Sequence, residues 1–334
     1  MATVRIADLV TAPAFFDTMA KLATEKSALL KSGIMTKSGE ASRIALAEGN
    51  DGTMRYWNDL TGDASIPSDD PAIKLVPGNA NQSSLKVGKI SRVKGWSTMD
   101  IASNFTGNDP ALYIASRQAD YWVREDQKTL IASLTGIFVD NAANNSGDMI
   151  WNIATDAVGA PSAAEKISAT AILSAKQTMG DAADKLTTMI MHSAVYTELQ
   201  KQSLIAFIPN DKANIGFGSY LGYSVIVDDT CPAIMGANRI TYTTYICGAG
   251  AIGYGEGRPK TPQEVVRDAL AGNGSGEETL LSRRIFVMHP MGFNYAMASQ
   301  AGLYPTNVEL ALDANWSRSY DRKHIGLVAI KTNG

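Results

Sequence analysis

Long apolar runs are absent from this 334-residue chain: none reaches the roughly 18 residues that a membrane-crossing helix requires. The opening residues, MATVRIADLV, lack both a cationic start and an extended apolar core, so the expectation is a soluble protein without an export signal. Histidine and cysteine are scarce too. His192, His289 and His324 stand far apart, none with a carboxylate at a helix-compatible metal spacing. Cys231 and Cys247 make no ligand pair and are expected as free thiols. These shortages leave no metal site to assign. Charged residues make up only 19% and the formal net charge is −3, so no broad cationic field exists to wrap nucleic acid.

What is present is apolar material for a sizeable core, 45% of residues, and one dominant pattern. Over 109–138, Leu112, Ala115, Ala119, Trp122, Leu130, Leu134 and Ile137 recur at steps of mostly three or four. Arg117, Asp120, Arg124 and Lys128 collect on another face. Asn108 and Asp109 are good caps and Pro110 suits a first turn, so a helix of about 45 Å is expected. Both a beam across a flat subunit and a buried helix of an ordinary enzyme fit it.

Residues 1–50 read as an arm with one amphipathic stretch over 14–30. Residues 51–98 begin with MRYWNDLTGDASIPSDDPAIKLVPGNANQSS, whose prolines, glycines and aspartates argue against a core segment. Leu85, Val87, Ile90 and Val93 then alternate with polar residues, broken at Gly88. The simplest arrangement is a long two-stranded excursion with an irregular tip. Such a hairpin is marginal alone in water, so something beyond the local chain should cover it. Further on, the pattern gives a helix over 162–179, a strand over 187–192 and a helix over 194–202 capped by Ser193. Strands are expected over 224–228, 239–247, 284–288 and 324–331. Strands and helices interleave without strict βαβ alternation, which makes the fold class α+β.

Catalytic signals are weak. Gly248, Gly250 and Gly253 match G-x-G-x-x-G, but a dinucleotide turn must open a helix, and Gly255, Gly257 and Pro259 interrupt one. His192 and Ser193 are adjacent on a strand-like segment and so point to opposite faces. Glu125 and Asp126 lie beside Arg124 and Lys128, where helix-surface pairing explains them. No catalytic, cofactor-binding or metal residue is assigned. Lys86, Lys89, Arg92 and Lys94 oppose Asp59, Asp63, Asp69 and Asp70 within one excursion, which fits docking between copies or two solvated faces.

Several stretches resemble the major capsid proteins of tailed bacteriophages with the Hong Kong 97-like fold. They are Tyr56-Trp57-Asn58-Asp59-Leu60-Thr61-Gly62, Asn108-Asp109-Pro110, Leu134-Thr135-Gly136-Ile137-Phe138, Met191-His192-Ser193, the segment 283–290 and Asn315-Trp316-Ser317-Arg318. They fall in the right order over most of the chain. The resemblance implies an N-terminal arm (1–50), an extended loop (51–98), a peripheral domain (99–155 with 284–334, spine helix 109–138) and an axial domain (156–283). It implies a non-enzymatic shell subunit, assembled in the host cytoplasm into pentamers and hexamers and residing in the virion. Implied partners are other copies of itself, a separate scaffolding protein, a portal protein, an optional decoration protein and packaged double-stranded DNA held by non-specific contact, with no membrane. Trp57, Leu60, Asp69, Lys74, Lys86 and Arg92 become candidate intersubunit contacts, and Arg117, Trp122, Arg124 and Lys128 the candidate functional residues of the spine helix. Lys74 and Lys86 are the candidates for the lysine-to-asparagine crosslink of some relatives, which is not expected here without a positioned acid. Two alternatives remain: an encapsulin-type cellular compartment, which shares the architecture, and a nucleotide-binding enzyme using the glycine turn.

Overall fold

A computed structural model describes residues 3–4, 33–67, 69–106, 110–202 and 218–334. The amphipathic stretch over 14–30 and the caps Asn108 and Asp109 lie outside the described residues. The elements run β1 Thr3–Val4, β2 Met35–Lys37, α1 Gly39–Leu46, β3 Asp51–Trp57, β4 Gln82–Gly88, β5 Ile90–Met99, α2 Asp100–Thr106, α3 Pro110–Asn144 and β6 Ile150–Asn152. Then come α4 Ala169–Gln177, β7 Leu186–Met191, α5 Ser193–Lys201, β8 Gly218–Tyr220, β9 Tyr223–Val227, β10 Ala233–Met235, β11 Ile240–Gly248, β12 Ile252–Glu256 and β13 Gln263–Asp268. The chain closes with β14 Glu277–Pro290, β15 Phe293–Tyr295, β16 Trp316–Arg318 and β17 Leu327–Thr332. The class is α+β.

Two mixed sheets carry the fold. One has the order β1-β5-β14-β12-β2 with β13 also on β14; the other has the order β6-β17-β11-β7-β9-β8 with β10 on β11. Helix α3 joins them. Its Leu130, Ile131, Leu134, Ile137 and Phe138 pack with Phe286 and Met288 of the first sheet and with Ile190, Tyr245 and Leu327 of the second. On the opposite face of the second sheet, α4 and α5 contribute Ile172, Ala175, Val195 and Leu199, which meet Ile246, Val328 and Ile330. Successive strand residues point to opposite faces, so Tyr245 and Cys247 serve one core and Ile246 the other. Each such aliphatic side chain, fully buried, stabilises the fold by about 1.5–3 kcal/mol.

Helix α3 runs 35 residues, about 52 Å, and continues past the expected end at Phe138. Asp140 and Asn141 are buried there: Asp140 accepts from the Asn144 amide at 2.7 Å and Asn141 donates to Asp148 at 2.7 Å. Gly136 lets α3 approach its neighbours, since a Cβ there would stand 2.1 Å from the Leu310 carbonyl oxygen and 2.6 Å from Trp316 Nε1. Trp122, Leu130, Leu134 and Ile137 are buried as the periodicity requires, but Ala115 and Ala119 are exposed.

Other expectations need correction. The helix over 162–179 is broken, because Ile167 N–H donates to the Gly334 carbonyl at 2.7 Å and Ser168 caps a new start at α4. His192, not Ser193, caps α5, its Nδ1 accepting from Ala194 N–H at 3.1 Å. The glycine turn links the two sheets: β11 of the second sheet turns at Gly250, φ +69°, straight into β12 of the first, so no helix begins there. Gly255 and Gly257 serve packing, with Cβ positions 2.2 Å and 2.5 Å from the α1 backbone at Ala41 and Ala45. Sheet membership also crosses the expected division of the chain at 283–284. β12 and β13 pair with β14 in the first sheet, whereas β17 pairs with β11 in the second.

Candidate functional site

The feature that the single subunit leaves unfinished is the hairpin β3–β4, paired from Asp51 opposite Gly88 to Trp57 opposite Gln82. Its base is well held. Met54, Leu85 and Val87 pack with Ala41, Ile44 and Ala45 of α1 and with Val287 of β14. Lys86 N–H donates to Asn294 Oδ1 at 2.9 Å, Asn50 reaches the Leu303 carbonyl at 3.1 Å, and Tyr56 meets Tyr320 edge-on at 4.6 Å. Gly88 is required where the hairpin ends, because a Cβ would stand 2.6 Å from the Tyr295 ring.

Beyond Trp57 the support stops. The described residues of 58–81 are exposed throughout, and the hydrogen bonds identified there stay within the hairpin, such as Asn58 N–H to the Asn81 carbonyl at 2.9 Å. Yet this stretch and its margin present Trp57 at 68% and Leu60 at 77% exposure, with Ile66, Ile73, Leu75 and Val76 similarly open. Single exposed apolar residues are ordinary, but six along one projecting segment make it the candidate contact surface. Sequence reading found Trp57 and Leu60 and passed over the other four, which sit among prolines and aspartates without periodicity; apolar residues inside a turn-rich run were the available signal.

Asp69 and Lys74 lie in this exposed stretch. Lys86 is on the stem, 3.7 Å from Asp51. Arg92 is not on the hairpin: β4 ends at Gly88, and Arg92 belongs to β5. Its guanidinium donates to the Pro305 carbonyl at 2.7 Å and to Asn307 Oδ1 at 3.0 Å, a tie within the subunit. Lys89 turns inward as well, its buried ammonium donating to the Ala47 and Glu48 carbonyls, and burial lowers its pKa. The basic cluster read from sequence is therefore divided: Lys89 and Arg92 are structural ties, Lys86 is on the stem, and Lys94 is exposed on β5.

On α3, Arg117 pairs with Asp120 at 3.2 Å and Lys128 with Glu125 at 2.9 Å; Arg124 is half-buried. Trp122 is core, its Nε1 donating to Ser282 at 2.9 Å with Arg284 over its ring at 5.6 Å. Arg284 also binds buried Asp126 at 2.9 Å; burial lifts the Asp126 carboxyl above its usual range despite that partner. His289 is fully enclosed and donates to the Phe293 carbonyl at 2.7 Å, and burial pushes its pKa down to about 4. Cys231 and Cys247 are buried free thiols whose pKa values burial raises, that of Cys247 to about 12. Among the described residues no cluster of metal-ligating side chains occurs, and no helix is long and apolar enough to cross a membrane.

The family model for major capsid protein 13-like (gp13-like) proteins matches residues 111–327. The major capsid protein of Bacillus phage SPP1 is 36% identical over 335 residues, covering 99% of this chain and 98% of its own. The chain belongs to the gp13-like family of phage major capsid proteins.

The capsid subunit also shares its fold with solved shells. The capsid of Ralstonia phage GP4 aligns with a TM-score of 0.62 at 13% identity, covering 98% of each chain. The capsid of cyanophage Pam1 gives 0.59 at 11%, covering 99% of this chain and 98% of that one. The Hong Kong 97-like architecture is thus shown, and the subunit is a virion component that builds the icosahedral capsid from many copies of itself. The encapsulin-type reading gives way, because the sequence relative and the structural neighbours are phage capsids.

Proposed function

We propose that this capsid subunit assembles by laying its β3–β4 hairpin on an adjacent copy, and that the exposed apolar tip is the observation that carries this. The subunits meet head-to-tail in pentameric and hexameric rings, a heterologous contact that closes on itself. Residues 51–88 act as the extended loop, α3 as the spine, and the two sheets as peripheral and axial parts. The role is structural, without catalytic turnover. The enclosed partner is double-stranded DNA, met by non-specific contact, with a scaffolding protein and a portal protein as assembly partners, a decoration protein as an optional one, and the host cytoplasm as the place of assembly. A change from a precursor shell to a mature one would rearrange discrete packed elements such as the hairpin and α3.

Electron microscopy tests this. Production together with a scaffolding protein is expected to yield uniform closed shells. Uniform shells from the chain alone would contradict the scaffold requirement; no particles under either condition would contradict the assembly reading.

A further inference from the structure

Rings that close on themselves do not make a shell, which also needs contacts from ring to ring. Where two copies meet across a two-fold position the contact is isologous, so one patch must complement itself. Strand β13, Gln263–Asp268, has the properties of such a patch. Among the described strands it pairs with β14 alone, and all six of its residues are exposed, Val265 at 56% and Val266 at 46%. A free sheet edge presents unpaired N–H and C=O groups, and proteins commonly blunt one with proline, lysine or a bulge. Neither proline nor lysine falls within 263–268, and the pairing with β14 runs in unbroken register.

The ladder fixes which backbone groups are open. Arg283 N–H donates to the Pro262 carbonyl at 2.8 Å, and Gln263 stands opposite Ser282. Bonded and non-bonded pairs alternate in an antiparallel ladder, so Glu264, Val266 and Asp268 bond to β14 while Gln263, Val265 and Arg267 direct their N–H and C=O groups outward. A two-fold axis normal to the sheet keeps each face on its own side, so residues opposed across it must share a face and the axis must pass through a residue. Charge then selects the register. Centring on Glu264, Val266 or Arg267 opposes Glu264 to its own copy, Glu264 to Asp268, or Arg267 to its own copy. Centring on Val265 opposes no like charges: Val265 meets Val265, Glu264 meets Val266 and Gln263 meets Arg267. Asp100 already holds one side of the Arg267 guanidinium, whose remaining donors are suited to the Gln263 carbonyl oxygen. We propose that β13 pairs antiparallel with β13 of a second copy across a two-fold position of the shell, in the register centred on Val265. Three residue pairs, 263 with 267, 265 with 265 and 267 with 263, each exchange two hydrogen bonds and tie one ring to the next. This goes beyond ring closure by the hairpin and uses a different surface.

The test uses shells assembled from the full chain. In a bonded pair centred on Val265 the two Cα atoms stand about 5.5 Å apart, a disulfide distance. Oxidised Val265→Cys shells are expected to yield covalent dimers joined 265 to 265. Gln263→Cys shells are not, because the two copies of 263 then lie about 13 Å apart along the strands. Cys231 and Cys247 are buried, and unsubstituted shells give the baseline. No dimer through 265, or an equal yield through 263, overturns the proposal. Val265→Pro removes an N–H that takes no part in pairing with β14, so subunit melting should hold while the yield of closed shells falls at least about tenfold. A wild-type yield of shells from that variant would overturn the proposal too. Neither result at 265 bears on whether the hairpin docks on a neighbour.

Discussion

Replacing Trp57 and Leu60 together by alanine removes two apolar side chains that the isolated subunit leaves 68% and 77% exposed. A tryptophan presents about 200 Å² of surface, so at about 25 cal/mol per Å² covering the open two-thirds contributes about 3 kcal/mol. Leu60 adds about 1.5 kcal/mol on the same scale. Ordering the tip offsets part of this, leaving about 3 kcal/mol, or somewhat more than a hundredfold in the association constant of one contact. The dispersed subunit should hardly notice, because exposed substitutions usually change stability by no more than about 0.5 kcal/mol. Sedimentation across a concentration series, beside thermal unfolding of dispersed subunits, separates the two effects. Assembly at the wild-type concentration would refute the reasoning, and so would a large fall in melting temperature, which would make these residues core.

Three further outcomes follow from particular contacts. Gly136→Ala should destabilise the subunit by about 3 kcal/mol, although alanine ordinarily favours a helix interior by about 1 kcal/mol over glycine, because the new methyl meets the Leu310 carbonyl and the Trp316 ring; chemical denaturation reads the sign. Burial holds His289 neutral with a pKa of about 4 against 6.5 when unfolded. Between those values the unfolded chain binds more protons, so stability falls as pH drops, by about 3 kcal/mol in full. Denaturation of dispersed subunits at neutral and acidic pH should show this loss, and His289→Gln, which keeps a donor for Phe293, should remove most of it. Reversing the charges of Arg117, Arg124 and Lys128 should impair DNA packaging or assembly before folding, since the first and last sit in exposed i,i+3 pairs; DNA content per particle and subunit melting temperature distinguish these.

The parts of the fold that could be read from sequence were those with a repeating physical constraint. Leu130, Leu134 and Ile137 recur every three or four residues because one face of α3 meets both sheets. The same pattern overreached at Ala115 and Ala119, since a small apolar residue fits a helix whether or not anything covers it. It stopped early at Phe138 because Asp140 and Asn141 look like loop residues, and only tertiary bonding shows them buried. Glycines in β12 read as a turn, yet they are there so that α1 can lie against the strand. Strand β13 went unseen because all six of its residues are exposed and the burial alternation that announces a strand is missing. For the contact surface, composition located the hairpin, but Arg92 belongs to β5 and not to the hairpin. Sequence spacing could not reveal that Pro305 and Asn307, far along the chain, hold its guanidinium.

The central claim is that the tip of the hairpin, open in the single subunit, is covered by a neighbour in the shell. Hydrogen–deuterium exchange of 58–81, compared between dispersed subunits and assembled shells, measures this most directly. The account predicts fast exchange in the free subunit and at least tenfold slowing across the tip on assembly, with the stem near Leu85 and Val87 protected in both states. Equally fast exchange of the tip in intact shells would contradict it.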